Sequence, residues 1–554
     1  MEESLSYDVS MFQDTFEHEF TFLNGFLRNV HRFATRPAMT CPLRGRTWAY
    51  PELNRDVNRL AHALASDGVS RGEVVMYQLM NSPEFVFAYL APQKLRAINC
   101  PINFKLSHSE TAWMIDDSKP AVFIYDADGR ETAEQALAMA SHRPRRVVMV
   151  DAAGARGPAR GHVPYSEYVA DRPETEPDAG GRMHIYDEVT RLYTSGTSGQ
   201  PKGVPMNNVN EVLSAHDVIM HFPLAPTDRT MNMSPWFHRG GIHAGGPTAA
   251  LYVGAEMVIL RQFTPRTCLE YAEKYGVSFL VGAPPMLKLL SATQQKSPFD
   301  LSALKGIVTM GAPLGREDCI RFHETLTPNI FNGYGTSEAF WNTFLRPADL
   351  PEMAGSAGRA CTDDDVAVVK VFPDRRAEPH ETVAKDNQEV GEVIVRAPGK
   401  SAYTYVGDEA DSNRVFHDGW LYIGDMATWD ENEFITIVGR KNNMIVSAGE
   451  NIHPVQVEEV LAMHPKVQES VVVGVPDELR GETVVAYVVK EDPSLTAREL
   501  AAHCSDRAIL APYKRPRYYR FVDELPYTAT GKKKHYVVRQ MAAEERDRGV
   551  FERG

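Results

Sequence analysis

Strand-like and helix-like segments alternate along most of this chain, and that alternation limits the folds open to it. Residues 51–67 carry apolar side chains at helical spacing and are followed by a strand-like run at 73–79. A second helical pattern at 82–95 precedes a strand-like run at 97–102. Around Gly306-Ile-Val-Thr-Met-Gly311 a buried strand is expected to end at a glycine turn, with a helix over 316–326 and a strand over 329–331. Strands that hand over to helices and back build α/β layers, and such sheets bind ligands beyond the carboxyl ends of their strands. With 554 residues the chain exceeds one ordinary core. Composition shifts at Gly439-Arg-Lys-Asn-Asn443, so a boundary is expected there, giving domains 1–440 and 441–554. The second unit reads as helices at 454–463 and 497–507 with strands at 468–475 and 484–489. Residues 153–181 and 374–389 read as surface excursions.

Hydrophobic content of 43% and charged content of 24% are those of a soluble globular protein. The net charge of −14 argues against nucleic acid and against an anionic membrane surface as partners. The six cysteines are scattered without a CxxC pair, as expected of reduced thiols in a cytoplasmic protein. The acidic N-terminal stretch lacks the apolar core of a signal peptide, and no apolar run is long enough to span a bilayer.

The most informative chemistry lies in Tyr193-Thr-Ser-Gly-Thr-Ser-Gly-Gln-Pro-Lys-Gly-Val204, which follows a β-rich segment at 188–192. Glycines allow backbone N–H groups to turn inward around an anion. Thr194, Ser195, Thr197 and Ser198 add donors, and Lys202 adds charge, which suits a polyphosphate. Lys202 is followed by glycine, so this is no Walker A loop. The plain alternative is a Gly/Ser linker.

This run resembles the phosphate loop of the adenylate-forming superfamily of acyl- and aryl-CoA synthetases, peptide-synthetase adenylation domains and beetle luciferase. Further motifs follow in the family's order, from about Thr47 to about Gln540. The resemblance implies a large N-terminal domain of stacked α/β sheets and a small, mobile C-terminal α+β lid. It implies ATP (leaving as AMP), CoA and Mg²⁺ as cofactors, with Thr194, Ser195, Gly196, Thr197, Ser198, Gly199 and Lys202 around the phosphates. In Asn332-Gly-Tyr-Gly-Thr-Ser-Glu338, Tyr334 would stack on adenine beside Gly333, and Asn332 would bond its amine. Ser337, where threonine is usual, would contact the α-phosphate. Glu338 and Thr194 would hold magnesium. The alternative is that Ser337 and Glu338 begin a helix and satisfy its N-terminus. Gly311, Ala312 and Pro313 would line the other side of adenine. In Gly419-Trp-Leu-Tyr-Ile-Gly-Asp425, Asp425 would accept both ribose hydroxyls, although a Gly-Asp pair is often only a turn. Arg440 would contact ribose and phosphate at the hinge.

Lys532, after Thr530-Gly531, would bridge the carboxylate and α-phosphate; a solvated lysine patch is the alternative. In Trp236-Phe-His238-Arg-Gly-Gly241, His238 would sit by the reacting carboxylate. Ser447, Ala448 and Gly449 belong to a loop resembling the one along the pantetheine tunnel, with Ala448 replacing a common glycine.

The implied reaction is acyl-adenylate formation followed by transfer to CoA, with the lid alternating between two positions. Gly240, Gly241, Ala244, Gly245 and Gly246 cluster at the expected acyl wall, which favours a bulky hydrophobic or ring-bearing acid over acetate. The chain as a whole is also similar to ligases of actinomycete antibiotic pathways that activate polycyclic terpenoid acids, of the platensimycin type. An amino-acid adenylation domain is disfavoured because no acidic residue lies between Ser234 and Ala255 to pair with an ammonium. Asn442 stands where the family's hinge usually carries Asp or Lys. With Ser337, this leaves open a half-reaction ligase that takes a preformed acyl-adenylate. A nucleotide-binding protein without activity is a third alternative.

Overall fold

The computed structural model describes residues 8–151, 157–195, 201–447, 450–477, 480–505, 510–527 and 532–554. Gly196, Thr197, Ser198, Gly199, Ala448 and Gly449 lie outside them.

Four sheets organise these residues. The seven-stranded sheet is parallel except for its edge pair, β1 (Glu188–Ser195) and β2 (Pro201–Asn207), which run antiparallel. A nine-stranded sheet holds β3 (Gly306–Met310) beside β4 (Ile330–Thr336), with β5 (Phe340–Leu345) folded back on β4. A five-stranded antiparallel sheet contains β6 (Trp420–Trp429) and β7 (Ile435–Arg440). The fourth sheet has six strands, all drawn from residues after Met444. Large α/β sheets thus precede a smaller α+β unit, and the connection is the turn Lys441–Asn443.

Local sequence explains the elements. All five residues of β3 are buried, as expected of a parallel strand covered on both faces. The helix Tyr50–Ser66 carries Pro51 in its first turn, and the Glu52 carboxylate accepts the Ala49 amide at 2.8 Å. The main apolar core draws on Tyr77 and Ile124 of the seven-stranded sheet and Val281 and Val308 of the nine-stranded one. Helix Pro83–Leu90 belongs to it and is buried on every side. The helical pattern at 82–95 breaks into this helix and a 3-10 turn, Gln93–Leu95, because Pro92 has no N–H to continue the ladder.

The stretches at 157–181 and 374–389 run over the surface, as expected, and each is pinned to the body by a few buried side chains. Tyr168 is buried and donates its hydroxyl to Asp67 at 2.8 Å. Ala377 and Val383 are buried as well.

Candidate active site

The strand β4 carries Asn332, Gly333 and Tyr334. Neighbouring residues on a strand point to opposite faces, so one strand addresses two spaces. Asn332 is buried and donates its amide to the Ser356 carbonyl at 3.2 Å. Its carbonyl oxygen is the acceptor suited to an exocyclic amine. Tyr334 donates to Asp425 Oδ2 at 2.8 Å. Asp425 lies within β6, directly opposite Arg440 of β7, whose Nε is 2.9 Å from Oδ1. The Asp425 carboxylate raises the Arg440 pKa and so fixes its positive charge. Asp425 is therefore part of a ten-residue strand, made possible by Gly424 at φ +78°, and not a loop turn.

Ser337 and Glu338 do not begin a helix. They occupy the turn between β4 and β5. Arg239, in the short helix α1 (Arg239–His243), donates to the Ser337 carbonyl at 2.7 Å, to Ser214 at 3.1 Å and to the Lys400 carbonyl at 2.6 Å. Burial pulls the Arg239 pKa down to about 10, so it stays charged at neutral pH. Glu338 is buried and accepts the Tyr405 hydroxyl at 2.8 Å. Neither Arg239 nor Tyr405 was assigned a role from sequence. Arg239 sat inside a recognised motif, whereas nothing in Tyr403-Thr-Tyr405 signals the bond to Glu338.

His238 sits immediately before α1, and its Nδ1 accepts the Gly241 amide at 3.1 Å. Enclosure by protein, with the Lys532 ammonium nearby, pushes its pKa down to about 3. The ring is neutral at ordinary pH. With Nδ1 accepting, the proton resides on Nε2, which has no partner among the described residues. The site thus offers a buried N–H donor.

Lys532 arrives from the C-terminal unit. Its Cε lies 3.8 Å from where a Cβ on Gly311 would stand, next to Ala312 and Pro313. Lys532 retains accessible surface, but crowding by protein and the Arg440 guanidinium lower its pKa, against the pull of Asp425 and Glu338. The neighbouring residues are anchors. Lys533 reaches the Ser470 carbonyl at 2.6 Å and Glu458 at 3.2 Å, and His535 Nε2 meets Glu458 at 2.7 Å. Glu458 belongs to α2 (Pro454–Ala462). Lys533 is thus an anchor, whereas Lys532 keeps accessible surface.

Between β1 and β2, Thr194 lies opposite Lys202 and Ser195 opposite Pro201. Lys202 is buried, ion-paired with Asp411 and 5.3 Å from the Tyr405 ring centroid. Its ammonium is already matched by a carboxylate, which sequence did not foresee. Ser447, buried at the end of its strand, lies opposite Gly481.

The glycines expected at an acyl wall do not leave open volume. A Cβ on Gly241 would stand 1.9 Å from the Pro235 carbonyl oxygen, and one on Gly246 2.1 Å from that of Gly241. Gly245 has φ +70° and abuts Val281, Gly240 is covered by Met310 at 3.0 Å, and Ala244 is buried. Backbone packing is their first role.

Comparison with known proteins decides the family. Residues 26–404 match the model of the AMP-binding enzyme family, and residues 456–532 match that of the AMP-binding enzyme C-terminal domain. The chain belongs to the AMP-binding enzyme family. It is 31% identical to the indoleacetate–CoA ligase of Aromatoleum aromaticum over 519 residues, covering 90% of this chain and 94% of the relative. A feruloyl-CoA synthase from Amycolatopsis is 32% identical over 509 residues, covering 91% and 96%. An anthranilate CoA ligase solved with anthranoyl-AMP superposes with a TM-score of 0.84 at 26% identity, covering 95% and 98%. This AMP-binding enzyme is of the ATP-dependent, AMP-forming acyl-CoA ligase class. Among its described residues no helix is long and apolar enough to cross a membrane.

Proposed function

We propose that this protein activates a bulky hydrophobic or ring-bearing carboxylic acid as its acyl-adenylate and transfers the acyl group to CoA. The acids named for its relatives, indoleacetate, ferulate and anthranilate, support the choice of acid, and the glycines do not. One observation carries the ligase chemistry. Lys532 of the C-terminal unit stands at Gly311, close to the Tyr334–Asp425–Arg440 cluster.

In the first step an oxygen of the acid attacks the α-phosphorus of ATP, the bond to the β-phosphate oxygen breaks, and pyrophosphate leaves. Asp425 accepts the ribose hydroxyls, Asn332 the adenine amine, and Tyr334 supports the base. Arg440 and Lys532 offset charge between carboxylate and α-phosphate, where fixed charges act without reorganising. His238 Nε2–H donates to the acyl oxygen. Glu338 and Thr194, both hard oxygen donors, fit Mg²⁺, which would neutralise phosphate charge when bound.

In the second step CoA thiolate attacks the acyl carbon, the bond to AMP oxygen breaks, and AMP leaves. The domains divide at 440/441. Rotation about Lys441–Asn442 would withdraw Lys532 and bring in Ser447, Ala448 and Gly449. The polycyclic terpenoid acids suggested by the sequence likeness are the first acids to try.

A second reading has its own support. Asp411 neutralises Lys202, so a polyphosphate would have to compete for that ammonium, whereas an acyl-adenylate would not. A half-reaction ligase that accepts preformed acyl-adenylate follows from this. The test is acid-dependent exchange of labelled pyrophosphate into ATP, run beside CoA ligation from synthetic acyl-adenylate. Exchange is expected with the best acid. Fast ligation without exchange for any acid would replace the first reading with the second, and failure of both would leave a nucleotide-binding protein.

A further inference from the structure

Arg239 follows His238 directly and opens α1. Its guanidinium ties together segments that lie far apart in sequence. One nitrogen donates to the carbonyl of Ser337, the residue before Glu338, at 2.7 Å. Another donates to the Lys400 carbonyl at 2.6 Å and to the Ser214 hydroxyl at 3.1 Å. Lys400 leads into Tyr405, whose hydroxyl bonds Glu338. Ser214 lies in the helix Asn208–His221. The Phe340 ring, just past the turn, has its centroid 5.7 Å from the guanidinium carbon.

Holding a cation here is expensive. Arg239 is 2% exposed, its Nε finds no acceptor, and it forms no ion pair among the described residues. A buried charge without a carboxylate against it carries a large desolvation cost. The carboxylates nearby are engaged elsewhere. Glu211 meets His243 Nε2 at 2.9 Å, while His243 Nδ1 donates to the Arg239 carbonyl at 3.1 Å. Asp217 and Asp364 share Lys400, at 2.9 and 3.0 Å. What Arg239 has instead is three oxygen acceptors met by one planar fork. A lysine ammonium is a compact point charge and does not reproduce that fork. Bonds from a charged donor are also stronger than neutral ones. A guanidinium kept at such cost, with backbone carbonyls for partners, fits the task of fixing geometry.

We propose that Arg239 is a positioning residue that clamps the Ser337–Glu338 turn to the helix beside His238 and to the segment leading to Tyr405. The clamp sets the spacing between the groups assigned to α-phosphate, metal and carboxylate. This rests on the acyl-CoA ligase reading. Arg239 itself touches no substrate and acts through Ser337 and Glu338.

The test compares the affinities of AMP and adenosine, which differ by the α-phosphate. Wild-type protein should favour AMP. Arg239→Gln keeps a planar donor but loses charge and reach. It should weaken AMP about tenfold and leave adenosine, the part assigned to Asn332, Tyr334 and Asp425, within about twofold. Ser337→Ala should cost less AMP affinity in the Arg239→Gln background than alone, because both act through one contact. In Arg239→Ala, millimolar guanidinium chloride should restore most of the AMP affinity, and urea at the same concentration should not. Should Arg239→Ala not fold, Arg239→Lys takes its place in the AMP–adenosine comparison and should also lose AMP affinity selectively. Equal wild-type affinities, equal weakening of the two ligands, additive losses with Ser337→Ala, or rescue by urea as full as by guanidinium would overturn the proposal. Both ligands bind without turnover. A wild type that favours AMP through Arg239 yet forms neither adenylate nor thioester would sink the ligase reading and leave the clamp standing.

Discussion

Lys202 and Lys532 both lie within electrostatic reach of Glu338, yet they are held very differently. Lys202 is on a strand of the N-terminal body, buried, with Asp411 against its ammonium. Lys532 comes from the C-terminal unit and keeps accessible surface. Its position depends on neighbours tied to Glu458. The first is a built-in part of the sheet end, and the second is delivered. A built-in charge should matter wherever the nucleotide sits, and a delivered charge only while the C-terminal unit faces the site.

The strongest way to break this contrast is Lys532→Ala. Pyrophosphate exchange should fall by about 10²–10³-fold, while CoA ligation from synthetic adenylate stays near wild type. Equal losses in both assays would mean that Lys532 is no more conditional than Lys202. Next in size is Asn442→Pro, which fixes φ in the Lys441–Asn443 turn. One half-reaction should fall about tenfold or more while the other persists. Both at wild-type rate would remove the turn as the pivot.

Asp411→Asn sharpens the other side of the contrast. Freed from its carboxylate, Lys202 should bind phosphate better, and the KM for ATP should drop about three- to tenfold. No change in ATP affinity would show that the ion pair does not compete with phosphate.

The pH profile separates the two lysines further. In the proposed role Lys532 acts as the ammonium, and crowding by protein lowers its pKa from 10.5. Exchange should therefore decline on the alkaline side before an ordinary lysine would titrate. Lys532→Arg should move that limb upward. His238, at about 3, stays neutral through the measurable range and adds no acid limb. An acid limb lost in His238→Gln would contradict this. The smallest effect belongs to Tyr334→Phe. Loss of one hydroxyl bond to Asp425 should cost about 0.5–1.5 kcal/mol in kcat/KM, equally in both half-reactions.

Much of the body was legible because its signals are local. The helix expected at 51–67 is Tyr50–Ser66, and the strand expected to end at Gly311 ends at Met310, with Gly311 at φ +85°. The order of motifs led to Asp425, Arg440 and Lys532, which the structure brings into one region. What sequence hid was long-range. Asp411 meets Lys202 across two hundred residues of chain, and no pattern in either segment announces the pair. The glycines near residue 240 looked like room for substrate, but the space is taken by carbonyl oxygens at Gly241 and Gly246 and by Met310 and Val281 at Gly240 and Gly245. Ala377 and Val383 stand as isolated apolar residues in a polar run, so only the fold reveals that they are buried.

The alternation of β4 has a practical consequence for engineering. Asn332 and Tyr334 face Ser356 and Asp425, while Gly333 between them faces the indole of Trp341. A designer who repaints the 333/341 side is working on a different wall from the one holding Asp425 and Arg440. The two walls are separately adjustable, although a single peptide bond joins their nearest residues.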